Sequence, residues 1–217
     1  MSRMSQHLLA ALAVAMLSSS CVGLSARVDR AALSEIPNEE LLVLFDAEND
    51  VQIARDEADA ASRNLQDAKN GLETARQYRE VIAQRRTSGA TVDTVSVLDL
   101  LGAWNDARIG MREAEVDLRD IELSTSSTRL WAARARYERE KARLVKARNP
   151  AVGKDIDLKD FDDQADTWKL REAEATAAVA ARAVGVVEAR ARYFELSRQL
   201  QEQSGGAYGG PWADLLD

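Results

Sequence analysis

The sequence predicts an all-α chain, an elongated antiparallel three-helix bundle of the coiled-coil kind. Three observations predict it. Apolar residues recur at alternating spacings of three and four along three long segments. Only three prolines interrupt the 217 residues. Apolar residues make up 46% and charged residues 30%, but aromatics only 5%, so alanine carries much of the apolar count. That is the balance of long solvent-washed helices rather than of a compact α/β core.

The first helix is expected over 38–86. Leu44, Ala47, Val51, Ala54, Ala58, Ala61, Leu65, Ala68, Leu72, Ala75, Arg79 and Ile82 form its seam. Asn38 is read as N-cap, with Glu39 and Glu40 facing the positive end of the dipole. Arg79, the charged member of the seam, is read as snorkelling past Trp104 with its stem buried.

The second helix is expected over 97–148, on Leu100, Trp104, Ala107, Met111, Ala114, Leu118, Ile121, Thr125, Thr128, Ala132 and Ala135. Residues 124–128 read STSST, poor in helix preference, and mark a place where a kink would fall. A hairpin through residues 87–96 sets Ile82 opposite Trp104, Ala75 opposite Met111, Leu72 opposite Ala114, Ala68 opposite Leu118 and Leu65 opposite Ile121. Large faces small in most of these layers.

Asn149-Pro150 ends that helix. The third is expected over 158–204 with two stripes. One is Phe161, Ala165, Trp168, Ala175, Val179, Val186, Ala189, Tyr193, Leu196 and Leu200. The other is Leu170, Ala173, Ala177, Ala180, Val184, Val187, Ala191 and Phe194. Two stripes let one helix cover two neighbours in the groove of a hairpin.

Charge supports this topology. Residues 35–60 hold nine acids and one base, and residues 129–148 hold eight bases and two acids. Residues 154–166 hold six aspartates and two lysines. In an up-down-up bundle the basic end of the second helix lies between two acidic starts. Trp104, Trp168 and Tyr193 are read as core. Trp131 lies beside its seam, either over the third helix or at a partner surface.

Net charge of −7 argues against nucleic-acid binding. One histidine, His7, and one cysteine, Cys21, both lie near the N-terminus. If His7 leaves with a leader, no imidazole remains for a nucleophile pair or a zinc site. The run from Asp155 to Asp163 lacks the glycine and glutamate of a calcium loop and reads as an acidic helix start. No catalytic residue, metal site, cofactor or small-molecule substrate is assigned.

Arg3 precedes an apolar run of ten, Leu8 to Leu17, then Ser18-Ser19-Ser20 and Cys21. The run is too short to span a bilayer and has the proportions of a secretory signal. Small residues before a lone cysteine resemble the lipobox of bacterial lipoproteins, with Ser18 where leucine is usual. The resemblance implies a signal peptide over 1–20, lipidation of Cys21 and a membrane held through the N-terminal lipid. Val22 in place of aspartate implies the outer membrane, facing the periplasm. A secreted periplasmic protein and an inner-membrane anchor are the alternatives. Residues 21–37 are read as a lipidated tether.

Residues 89–108 are similar to the hairpin turn of TolC-type outer-membrane efflux proteins, where a glycine and a leucine–alanine pattern lead into a long helix. Gly89, Leu98, Ala103 and Ala107 carry the likeness. It implies an adaptor or accessory part of an efflux or secretion assembly. At the other end, Ser204 to Gly210 reads as a flexible linker. Pro211, Trp212, Leu215 and Leu216 then read as a docking segment for a partner groove or for the bundle itself. The expected function is a non-enzymatic envelope scaffold, spacer or binding module with a protein partner. A homo-oligomer, as a self-assembling coiled coil, is left open.

Overall fold

The computed structural model describes residues 23–87 and 92–208. The fold is all-α, and no strand occurs among the described residues. Helix α1 spans Arg30–Leu33 and α2 spans Asn38–Leu41. A 3-10 turn, Leu42–Leu44, leads into α3, Phe45–Thr87. Then come α4, Val92–Arg148, α5, Pro150–Gly153, and α6, Leu158–Gln203. The long helices α3, α4 and α6 pack against one another as a helical bundle.

Several boundaries differ from expectation. Pro37, not Asn38, is the N-cap of α2, and its carbonyl accepts from the amides of Glu40 and Leu41. Proline supplies the extended geometry a cap needs, which leaves Asn38 inside the first turn. Helix α4 begins at Val92, earlier than its seam suggested, because nothing in Asp93 to Ser96 breaks a helix. The STSST run stays helical. Thr125 donates to the Ile121 carbonyl at 2.8 Å and Thr128 donates to that of Ser124 at 2.9 Å. These bonds satisfy the hydroxyls without leaving the helix.

The chain forms two compact units, and α3, α4 and α6 each give a part to one or both. The first unit takes the described part of Met1–Gln52 with Arg129–Leu170. Its core joins Val28, Ala32 and Ile36 to Ala142, Val145 and Phe161. A second cluster joins Ala132 and Ala135 of α4 to Ala165 and Trp168 of α6. The expected charge pairing is present here. Arg143 meets Asp162 at 2.9 Å and Arg148 meets Glu40 at 3.1 Å.

The α4–α6 turn needs one particular glycine. A Cβ on Gly153 would stand 2.7 Å from the Lys146 Cα. Asn149 holds the same turn, accepting from the Val152 amide and donating to the Glu35 carboxylate at 2.7 Å. Asn149 is buried, and both ends of its amide are satisfied.

The second unit takes Ile53–Thr128 with the described part of Arg171–Asp217. Its core gathers Ile82, Leu98, Leu101, Trp104, Met111, Tyr193 and Leu200 from the three long helices. Arg79 pairs with Asp106 at 2.7 Å and Arg86 with Asp99 at 3.0 Å, which puts α3 against α4 one residue from the expected register. The facing surfaces are turned from those expected. Ala75 packs with Ile109 rather than Met111, and Asn105 donates to the Ala75 carbonyl at 3.1 Å.

Arg79 does not snorkel. Its side chain is 62% exposed in the Asp106 pair, and Tyr78 instead meets Trp104 edge-on, with centroids 6.2 Å apart. A straight helix drifts from a strict heptad, and this far along the seam the drift brings the neighbouring residue inward.

Candidate interaction surfaces

Cys21, Pro211, Trp212, Leu215 and Leu216, the residues singled out from sequence, lie outside the described residues. The structure shows what the chain does next to each of them.

Residues 24–36 are not a free tether. Leu24 packs against the Trp131–Trp168 cluster, and Val28, Ala32 and Ile36 are buried. Four hydrogen bonds to Gln164 and Glu138 fix this segment. Gln164 accepts the Ala26 amide at Oε1 and donates from Nε2 to the Ala26 carbonyl, both at 3.0 Å. The Ser25 hydroxyl donates to the same Oε1 at 3.1 Å. Glu138 accepts the Val28 amide at 2.9 Å and pairs with Lys141 through its other oxygen. Small and polar residues look like linker in composition, but Val28, Ala32 and Ile36 stand four apart. That spacing is the signal that could have found the docked face.

Glu138 and Lys141 sit beside Tyr137, with the Lys141 ammonium 4.9 Å from the ring centroid. Burial pushes the Tyr137 phenol above its ordinary value, and the nearby carboxylates of Glu48 and Glu138 add to the rise. Trp131 stacks on Trp168 with centroids 5.9 Å apart, so it covers the third long helix. The Arg134 guanidinium lies over its ring at 4.9 Å.

At the other end, Gly205 and Gly206 take φ of 62° and 86°. The Gly206 amide donates to the Gln201 carbonyl at 2.9 Å, which ends α6 in a left-handed cap. The chain turns back, and Tyr208 packs against the core cluster of the second unit. Arg85 donates to the Tyr208 hydroxyl at 3.2 Å. The expected linker is therefore folded through Tyr208. Two glycines directly after a helix are a cap signal as much as a flexibility signal.

The third long helix departs most from expectation. Its first stripe is buried: Phe161, Ala165, Trp168, Ala175, Val186, Tyr193 and Leu200. Its second stripe is bare. Leu170 is 62% exposed, Val184 57%, Val187 67% and Phe194 59%, and the four alanines between them are exposed too. The two stripes point nearly opposite ways, so this helix covers its neighbours with one face only. A smaller bare patch, Leu42, Val43 and Phe45, lies in the first unit.

Among the described residues no group of three metal-ligating side chains comes together. The aspartates of residues 155–163 serve the α6 start: Asp157 accepts the Lys159 amide and Asp162 takes Arg143. Among the described residues no helix is long and apolar enough to cross a membrane.

No family model, curated protein or solved structure matches the chain. The fold and its surfaces are what the function must be argued from.

Proposed function

We propose that this chain is a non-enzymatic helical scaffold of a bacterial envelope, anchored by lipid at Cys21 and holding a protein partner. The observation that carries the reading is the docking of residues 24–36. A segment directly after the candidate lipidation site is locked to the bundle by Gln164 and Glu138. A rigid attachment suits a protein that presents a fixed surface at a membrane. A mobile tether would suit one that searches for its target.

The lipobox resemblance supplies the anchor, and Val22 favours the outer membrane. The bare apolar surfaces supply places for partners. The segment Pro211, Trp212, Leu215 and Leu216 supplies a further docking element, carried beyond the Tyr208 turn.

Mass spectrometry of the mature N-terminus from envelopes tests the anchor. The expected result is an acylated Cys21 at the first position, with Cys21→Ser leaving an unprocessed chain. An intact Met1 or cleavage elsewhere overturns the anchor. Pull-down from detergent-solubilised envelopes tests the partner, comparing the full chain with a truncation at Ser204. A protein recovered only with the tail assigns the docking to Trp212 and its neighbours. Recovery by both forms assigns it to the helical faces.

A further inference from the structure

We propose that the outer face of α6 is the seam of a parallel, two-stranded coiled coil with a second copy of this chain. The inference stands apart from the lipid anchor and does not depend on it.

The bare stripe is periodic. Leu170, Ala173, Ala177, Ala180, Val184, Val187, Ala191 and Phe194 alternate steps of three and four without interruption, and all eight are exposed. The portion from Ala173 to Phe194 lies wholly in the second unit, and Leu170 continues it by one turn along the same helix. This is an a/d seam, with a at 170, 177, 184 and 191 and d at 173, 180, 187 and 194. At 100° per residue the buried stripe occupies the c and f positions, about 160° away. The helix can therefore pack on its own bundle and on a partner helix at once.

The flanking charges choose the partner and its direction. The g positions are Lys169, Thr176, Ala183 and Arg190, and the e positions are Glu174, Ala181, Glu188 and Glu195. Bases stand only at g and acids only at e. In a parallel pair, g meets the e′ residue five positions on. Lys169 then meets Glu174′ and Arg190 meets Glu195′, each twice by symmetry, with no like charges opposed. In an antiparallel pair g meets g′ and e meets e′, which sets base against base and acid against acid. A second copy in parallel pairs four of the five charged flanks with an opposite charge and leaves Glu188 opposite Ala183.

Two of these side chains already have partners within the chain. Arg190 meets Glu115 at 3.0 Å and Glu195 meets Arg198 at 2.9 Å. Arg190 and Glu195 are both about half exposed, so each can take a second partner. The alanines at Ala173, Ala177, Ala180 and Ala191 let the two helix axes approach closely. Within the second unit the contact runs over ~32 Å of helix, from Ala173 to Phe194.

The test uses the full chain in a Cys21→Ser background, so that no native thiol competes. Sedimentation equilibrium should give twice the 23.8 kDa chain mass. Val187→Glu should give the single mass with unchanged helicity, because Val187 is 67% exposed and belongs to none of the core clusters of the chain. Single cysteines at Ala173 and at Ala191 should each cross-link to themselves on mild oxidation. Arg190→Glu and Glu195→Arg should each weaken association about threefold to tenfold, and mixing the two variants should restore it. A chain of single mass at ~50 µM, where a micromolar dissociation constant leaves most of it paired, overturns the proposal. So does cross-linking of Ala173→Cys only to Ala191→Cys, which reports antiparallel pairing. A dimer that survives Val187→Glu overturns it too, by placing the interface elsewhere.

Discussion

Gln164 grips the Ala26 peptide by both edges, accepting its amide and donating to its carbonyl, each at 3.0 Å. The two residues are 138 positions apart, so this side chain ties the N-terminal segment of the first unit to α6. Gln164 is itself buried. Gln164→Ala leaves two backbone groups without their partner and should cost about 1–3 kcal/mol. Limited trypsin digestion gives a second readout. Arg27 and Arg30 should be cleaved faster in the variant, and Gln164→Glu, which keeps the acceptor and loses the donor, should fall between.

Asn105 is a buried polar residue of α4, held to α3 by its bond to the Ala75 carbonyl. Asn105→Ala loses that bond and opens a space, and should lower stability by about 1–3 kcal/mol in urea denaturation. Asn105→Leu fills the space with apolar volume. It should recover much of the stability, while broadening the unfolding transition if Asn105 fixes register.

Gly153 and Gly102 should behave differently on substitution. An added Cβ at Gly153 meets backbone at 2.7 Å, whereas at Gly102 it meets only the tip of Arg86, at 2.7 Å. Backbone cannot yield as a flexible guanidinium can. Gly153→Ala should cost about 1–3 kcal/mol. Gly102→Ala should cost far less, with the gain of a better helix former offsetting the displaced Arg86. Thermal denaturation of the two variants side by side checks this.

The raised Tyr137 phenol links stability to alkaline pH. The neutral form is the one the fold favours, so its contribution is whole below the ordinary tyrosine range. It is lost as pH rises through the higher, folded value. Stability should therefore decline above pH ~10. Tyr137→Phe should remove part of that decline and leave stability near pH 7 little changed. Urea midpoints measured across the alkaline range check the sign.

The seam of α3 was legible because its buried residues fall on one apolar stripe. Ala54, Ala61, Leu65, Leu72, Ala75 and Ile82 are all buried. The α3–α4 register was legible to within a residue, since charge and side-chain size both constrain it. Which face of α4 meets Ala75 was not. This helix packs on two sides, and Asn105, Arg108 and Ile109 are buried off its expected seam. Nor was the fate of the second α6 stripe legible. Periodicity reports that a face is apolar, not what covers it. Leu24 and Tyr208 were missed for another reason: a few apolar anchors among small polar residues carry too little pattern to show where they dock.

The docked N-terminal segment sets a leash. If Cys21 carries the lipid, only Val22 and Gly23 separate it from Leu24, which is already packed on the bundle. Three residue steps at full stretch span about 10 Å, so the first unit would ride against the headgroups.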